Sequence, residues 1–269
     1  MPKVDHIGMF TTVDALDDPG VFISLMDRVQ TAPDVIAARA DLLARLELGP
    51  GDAVLDLGCG TGDHTREVAA LVVPGGRAVG VDFSTSMIGE ATSRQAASPL
   101  PATFEQGDAQ RLRFETGTFD ACRTERMLCH VPDCRAAIRE MARVVRPGGR
   151  VGILDVDCAG TFIDSSDRAI TAAFVTTLTD VIRNPWIGRM LRREMGEAGL
   201  VDVDVRPRVI EINYGQAEPM IAMHGALMEE TGIGAGAVEA WRQELEYANL
   251  KGTFFMGMTM FSAVGRKPA

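Results

Sequence analysis

The chain has 269 residues, a formal net charge of −10 and a sequence pI near 4.9. This acidic surplus disfavours nucleic-acid backbones and anionic membrane surfaces as partners. No apolar stretch approaches the ~18 residues that a membrane span needs, and no signal peptide is apparent, so we expect a cytoplasmic protein. The five cysteines include no CxxC pair, which predicts reduced and mostly buried thiols.

Two helices are predicted before the first strand. Pro33 opens the second of them, which runs to about Leu46. The first rests on an apolar stripe of Phe22, Leu25, Met26 and Val29. We expect residues 1–48 to form a helical cap.

Strands and helices alternate through the middle of the chain. The predicted strands are 53–58, 77–83, 102–108, 119–125 and 150–157. The predicted helices are 66–73, 84–97 with Ser84 as a plausible N-cap, and 134–145. Such alternation is typical of right-handed βαβ units and a parallel sheet.

The region after the fifth strand is less regular. A helical face spans about 170–181, another helix covers 186–198, and a helical region covers about 217–248. Strands are predicted at 201–212 and 253–265.

The stretch VLDLGCGTG, residues 54–62, places three glycines between a strand and a helix. A turn of this kind exposes backbone amides at a helix N-terminus, where negative charge is favoured. The spacing is G-x-G-x-G, and Asp63 stands where a dinucleotide motif has its third glycine. An acidic side chain there would repel a pyrophosphate, so a ligand with an ammonium, a sulfonium and a carboxylate fits better.

This stretch resembles the first motif of class I S-adenosylmethionine-dependent methyltransferases. The resemblance continues through VGVDFS (79–84), GDAQRLRF (107–114), FDACRTERMLCHVPD (119–133) and MARVVRPGGRVGILD (141–155). The last two segments are similar to those of small-molecule methyltransferases of the ubiquinone/menaquinone-biosynthesis type. The family implies a Rossmann-like α/β fold with a seven-stranded, mostly parallel sheet, helices on both faces and an antiparallel last strand. A methyltransferase domain would then cover 49–269, with helical lid segments inserted at about 160–183 and 215–250.

The resemblance implies S-adenosyl-L-methionine as the cofactor and assigns roles to individual residues. Asp56 would receive the ammonium, directly or through water; Asp82 would hold the ribose hydroxyls; and Asp108, beside Ala109, would meet the adenine. Phe83 and Met87 either pack on the adenine or belong to the core. The other assigned positions are Gly58, Cys59 (a small side chain without thiol chemistry), Gly60, Gly62 and Arg123.

His130 is the candidate general base, because it follows the fourth strand near the expected acceptor. The alternative is a packing or capping role in the turn CHVPD. His224 shares a helical face with Met220 and is expected to be a core histidine. Glu125 and Arg126 either pair with each other or line the cofactor mouth.

We expect methyl transfer to an oxygen or carbon atom of a small, partly hydrophobic molecule, such as a secondary metabolite or quinone. Methionines are concentrated late in the chain, in EPMIAMHGALMEE and FFMGMTMF. They either line an adaptable apolar pocket or fill the core. Open alternatives are a non-methylating cyclisation or rearrangement on the same fold and a non-catalytic cofactor-binding module. Arsenite methylation and nucleic-acid methylation are disfavoured. No metal is expected, and a homodimer is possible.

Overall fold

The computed structural model describes residues 13–15, 20, 23, 24, 27, 32–97 and 100–269. The strands are β1 (Ala53–Leu57), β2 (Arg77–Asp82), β3 (Ala102–Gln106), β4 (Phe119–Glu125), β5 (Val145–Ile163), β6 (Val201–Glu211) and β7 (Met256–Arg266). The helices are α1 (Pro33–Leu46), α2 (Asp63–Leu71), α3 (Thr85–Ala97), α4 (Cys134–Val144), α5 (Arg168–Val181), α6 (Ile187–Glu197), α7 (Tyr214–Glu230) and α8 (Ala235–Leu250). A 3₁₀ turn covers Val13–Ala15.

The strands form one seven-stranded sheet in the order β3-β2-β1-β4-β5-β7-β6. The first five strands are mutually parallel, while β7 runs antiparallel to both of its neighbours. The expected fold class is therefore confirmed. The carboxyl ends of the parallel strands meet at one edge, where ligands of open α/β sheets bind.

Alternate side chains of the buried strands point to opposite faces of the sheet. Leu55 packs in the core beneath α4 and α6, together with Ile138 and Leu191. Val54, the preceding residue, packs on the other face with Leu42 of α1 and Val68 of α2. Both faces are thus covered, which explains why these strands are apolar on both sides.

A third core lies outside the sheet, in what we call the helical lid: α5, α7, α8 and the ends of β5 and β7 that join them. Phe174 of α5 and Trp241 of α8 are its largest members, with ring centroids 5.4 Å apart. Ile163 and Met256 link this core to the sheet, because they pair across the outer ends of β5 and β7. His224 is buried beside Phe174, which confirms its expected core position.

Several predicted boundaries were wrong. The fifth strand is much longer than 150–157: it begins at Val145, and after a register shift its antiparallel pairing with β7 resumes at Phe162 and ends at Ile163. The helical region 217–248 is two helices, and Gly232 with φ of +100° lies in the turn between them. The third strand ends at Gln106 rather than 108. The stripe at Phe22, Leu25, Met26 and Val29 lies outside the described residues, so the first helix and the extent of the cap stay predictions.

All five cysteines fall within the described part of the chain, and each is buried and free of disulfides, as expected. Burial raises the pKa values of Cys59, Cys122 and Cys129 well above the ordinary thiol value. These thiols are therefore protonated packing groups at neutral pH. Over the described ranges, every helix is too short or too polar to cross a bilayer.

We predict that α1 is held by its buried face. Leu42→Ala should lower the free energy of unfolding by about 2–5 kcal/mol, because this fully buried side chain would leave a cavity. Ile36→Ala, on the same helix but 48% exposed, should change it by less than about 0.5 kcal/mol. Urea denaturation measures both variants, and equal losses would contradict the packing described.

Candidate functional site

A cavity of about 620 Å³ opens at the carboxyl edge of the sheet. One part, the glycine half, lies over the ends of β1 to β3 and contains Gly58, Gly60, Asp82, Met87 and Asp108. The other part, the methionine half, lies over β5, β7 and β6 and contains Val156, Leu178, Met220, Met258 and Met260. The end of β4 lies between them.

The loop between β1 and α2 needs its glycines for conformation as well as for access. Gly58, Gly60 and Gly62 have φ values of +73°, +52° and +76°, a region that disfavours other residues. A Cβ on Gly58 would also lie 2.5 Å from Cγ of Met127, and one on Gly62 would lie 2.5 Å from the Phe104 ring. Close neighbours within the protein therefore account for part of the motif. Gly58 and Gly60 line the cavity, whereas Gly62 is the N-cap of α2.

Asp82, at the end of β2, connects the glycine loop to the start of α3. Its carboxylate accepts hydrogen bonds from the amides of Gly60 (2.9 Å) and Ser84 (3.0 Å). Burial raises the pKa of Asp82, although these two amide bonds oppose the shift. The Ser84 hydroxyl in turn accepts from the amide of Met87 at 3.2 Å, which confirms Ser84 as a capping residue.

The 3₁₀ turn near the N-terminus also reaches this site. Asp14 accepts hydrogen bonds from the amides of Thr85 (2.9 Å) and Ser86 (3.0 Å), so it caps α3 from outside the helix. Burial acts to raise the pKa of Asp14, but its bonds to Ser84 and these amides hold it well below the usual value. The adjacent Val13 packs against Met87 and lines the glycine half.

A buried chain of ion pairs lies beneath the cavity and joins β1, β4 and α1. Asp56 and Arg123 are register neighbours on adjacent strands, and their side chains meet at 2.9 Å with 1% of each exposed. Arg123 also donates to Glu125 at 2.8 Å, and Glu125 accepts two further 2.8 Å bonds from Arg39 of α1. Burial would raise the pKa of Glu125, but Arg39 and Arg123 hold it well below its usual range.

The structure brings most of the predicted site residues to the cavity, but not all of them. The predicted residues in its lining are Gly58, Gly60, Asp82, Phe83, Met87, Asp108, Ala109 and His130. Those outside the lining are Asp56, Cys59, Gly62 and Arg123. Asp56 does not face the cavity, because Arg123 and the Thr65 hydroxyl (2.7 Å) occupy its carboxylate. Asp56 and Arg123 thus bond each other beneath the loop and do not line the cavity, and their contact with a ligand, directly or through water, stays a prediction.

His130 lies in the turn after β4, which two polar side chains fix. Asp155 accepts from the amide of Leu128 at 2.9 Å. From the opposite side, the Asn184 amide group donates to the carbonyls of Leu128 and Val131, both at 2.8 Å. Burial, with a smaller effect of the Arg126 charge, lowers the pKa of His130 to about 4. The imidazole is therefore unprotonated at neutral pH, and it is a weaker base than a free histidine for as long as this environment is unchanged.

Sequence patterns give no indication of some residues of the site. Arg39 and Asn184 reach it from elements distant along the chain, and Asp14 does so from the N-terminal turn. The pairing of Asp56 with Arg123 also had no local indication, because the first and fourth strands become neighbours only in the folded sheet. Glu125 and Arg126 both line the cavity, with Glu125 Oε1 and Arg126 Nε 3.7 Å apart.

Comparison with known proteins agrees with this geometry. Residues 54–149 match the family model described as a methyltransferase domain. An uncharacterized 37.1 kDa protein of a Streptomyces fradiae transposon is 33% identical over 247 residues, which cover 91% of this chain and 71% of that protein. Demethylmenaquinone methyltransferase of Symbiobacterium thermophilum is 36% identical over 127 residues, 46% of this chain and 51% of that enzyme. The chain thus spans about half the length of that quinone enzyme.

A solved structure extends the comparison to the whole fold. Phosphoethanolamine N-methyltransferase 2 of Haemonchus contortus, in complex with S-adenosyl-L-methionine, gives a TM-score of 0.61 at 18% identity, covering 97% of this chain and 60% of that one. The chain belongs to the class I S-adenosylmethionine-dependent methyltransferases. Within that class it is similar to the menaquinone-biosynthesis type.

The glycine half fits the cofactor of this family. Gly58 and Gly60 leave backbone exposed at the cavity wall, and α2 begins directly behind them, where its dipole favours a carboxylate. Asp82 is positioned at the wall to accept from hydroxyl groups. Met87, 4% exposed, supplies an apolar surface beside it. S-Adenosyl-L-methionine is therefore the cofactor of this chain.

We predict that Asp82 contributes directly to cofactor affinity. Asp82→Ala should weaken binding of S-adenosylhomocysteine by about 10- to 100-fold, because hydrogen bonds to a charged group contribute about 1.5–3 kcal/mol. Isothermal titration calorimetry measures the change. Glu90→Ala, a charge removal on α3 outside the cavity, is the control and should bind within about twofold of wild type. Undiminished binding by Asp82→Ala would contradict the assignment.

A second prediction concerns Asp155. Burial raises its pKa to about 6, although hydrogen bonds from the amides of Val156 and Leu128 oppose this shift. The folded protein then keeps this proton to a higher pH than the unfolded chain does. The contribution of Asp155 to the free energy of unfolding should therefore fall as pH rises from about 4 to 6, by about 1–3 kcal/mol. Asp155→Asn, which keeps an acceptor oxygen but does not titrate, should lack this part of the decline. Identical pH profiles of the two proteins in urea denaturation would count against it.

Proposed function

We propose that the protein transfers a methyl group from S-adenosyl-L-methionine to an oxygen or carbon atom of a small aromatic molecule with an apolar body. One observation supports this most: the glycine half and the methionine half form a single continuous cavity. A donor in the first half and an acceptor in the second would meet at the end of β4.

The methionine half supports an apolar acceptor. Its walls include Val156, Leu178, Met220, Met258 and Met260. Thioether side chains are flexible and polarizable, so they adapt to flat or irregular apolar ligands. The demethylmenaquinone methyltransferase to which the chain is similar acts, by its name, on a quinone, and this supports a quinone-like acceptor.

When bound, the cofactor supplies an electrophilic methyl group on a sulfonium. The remaining tasks fall to the protein, which holds the acceptor close and in line and excludes water. Asp155 and Asn184 hold the backbone of the turn that carries His130, at the boundary of the two halves. An unprotonated imidazole there takes the proton that an acceptor hydroxyl or ring carbon must lose.

The test is a transfer assay with short-chain 1,4-naphthoquinols and hydroxylated aromatics as acceptors, with product and S-adenosylhomocysteine quantified by mass spectrometry. Wild type should form both in equal amounts. S-Adenosylhomocysteine binding is measured in parallel by calorimetry, and absence of saturable binding would refute the proposal. Consumption of an acceptor without methylated product would favour a rearrangement on the same fold.

We predict that His130→Gln lowers the transfer rate by about 10²- to 10⁴-fold, the usual contribution of a general base. Its S-adenosylhomocysteine affinity should stay within about threefold, because the change lies away from the glycine loop. His224→Gln is the comparison, because this buried histidine packs beside Phe174 in the helical lid and is outside the cavity lining. An unchanged rate in His130→Gln would limit this residue to packing the turn.

A further inference from the structure

The end of β4 carries a cation that faces the cavity. Arg126 has φ of +51°, and its amide donates to the carbonyl of Leu154 at 2.8 Å, so the chain turns sharply there toward β5. Its side chain is 18% exposed and lines the cavity. A non-glycine residue in this backbone region is strained and is often found at functional positions.

The nearby carboxylates are already occupied by other arginines. Glu125 accepts three hydrogen bonds from Arg39 and Arg123, and Asp56 is held by Arg123 and Thr65. Arg126 reaches Glu125 only at 3.7 Å, and its Nε is buried without a hydrogen-bond partner among the described residues. A buried guanidinium nitrogen in this condition is costly unless a ligand completes its bonding.

The other charges at the end of β4 are paired. The guanidiniums of Arg39 and Arg123 bond the carboxylates of Asp56 and Glu125, and Glu67 lies near both arginines. Of these groups only Glu125 and Arg126 line the cavity, and Arg126 reaches Glu125 at no less than 3.7 Å. The turn after β4 therefore presents an incompletely paired guanidinium to the cavity.

The position of Arg126 favours the acceptor over the cofactor. The cofactor-binding loop lies on the β1 side of β4, whereas the turn at Arg126 is bonded to β5 and continues into Cys129 and His130. Cys129 and His130 line the same cavity, and the charge of Arg126 acts on the His130 imidazole. The guanidinium and the imidazole thus face the place where an acceptor from the methionine half would end.

We infer that Arg126 binds the ionised hydroxyl of the acceptor, so that the substrates of this site are phenols, naphthols or enols that react as their anions. This rests on the methyl transfer proposed above and specifies the chemical class of its acceptor. The hydroxyl O–H bond breaks, its electron pair stays on oxygen beside Arg126, and the proton passes to the unprotonated nitrogen of His130. The new oxyanion offsets the charge of Arg126, which makes the imidazolium easier to form.

The experiment measures anion binding without turnover. The probe is 4-nitro-1-naphthol, whose ionised form absorbs at longer wavelength than the neutral form, titrated over pH with saturating S-adenosylhomocysteine. Wild type should lower the pKa of the bound probe by about one unit, equivalent to tenfold tighter binding of the anion. Arg126→Gln should abolish this preference while binding 1-nitronaphthalene, which has no hydroxyl, within about twofold of wild type.

Arg183→Gln is the matched comparison, because Arg183 is another arginine of the cavity lining but lies at its exposed rim. It should retain the anion preference. Loss of the preference in Arg183→Gln rather than in Arg126→Gln would overturn the inference. So would a wild-type protein that binds S-adenosylhomocysteine but shows no preference for the ionised probe, or no probe binding at all.

One further arm tests whether Arg126 instead holds the carboxylate of the cofactor. If so, Arg126→Gln would weaken the binding of S-adenosylhomocysteine by tenfold or more. It would leave the binding of 5′-methylthioadenosine, which lacks the amino-acid end, unchanged. We expect both affinities within about threefold of wild type. Failure of wild type to bind S-adenosylhomocysteine would refute the proposed function itself, a result distinct from loss of the anion preference.

Discussion

The ion pairs among Asp56, Arg123, Glu125 and Arg39 are the constraint on which the site depends. They cross from β1 to β4 to α1, and each member is almost excluded from solvent. Removal of one partner from such a buried set leaves an uncompensated charge, which costs about 3–5 kcal/mol. The strand before the glycine loop, the strand that leads to His130 and the first described helix are therefore fixed relative to one another.

The order of the strands determines how the cavity is divided. Because β1 has β2 on one side and β4 on the other, the glycine loop and Asp82 fall together, and the turn at His130 falls on the opposite side. The reversal of β7 then places Met258 and Met260 at the same edge as the carboxyl end of β5. The division of the cavity into a glycine half and a methionine half thus follows from the topology of the sheet.

Sequence patterns were sufficient for the parallel part of the fold and for the glycine loop, because both depend on local periodicity and spacing. They did not show that Arg123 occupies Asp56, since the pair is made by strands 67 residues apart and needs their register. Asn184 and Arg39 were missed for the same reason: their partners are set by how helices dock. Gly232 is a residue at which the sequence could have predicted the end of a helix. The helical composition on both sides of it favoured a single helical region instead.

The long strand β5 has a consequence for how this protein can diversify. It passes from the centre of the sheet into the helical lid, and β7 pairs with it on both sides of a register shift between Asp157 and Phe162. The helical lid is joined to the sheet through these two strands, whereas the glycine half lies over β1 to β3. Under the proposed function, a foreign lid grafted at these two strands would change which acceptors fit and would leave the glycine half intact.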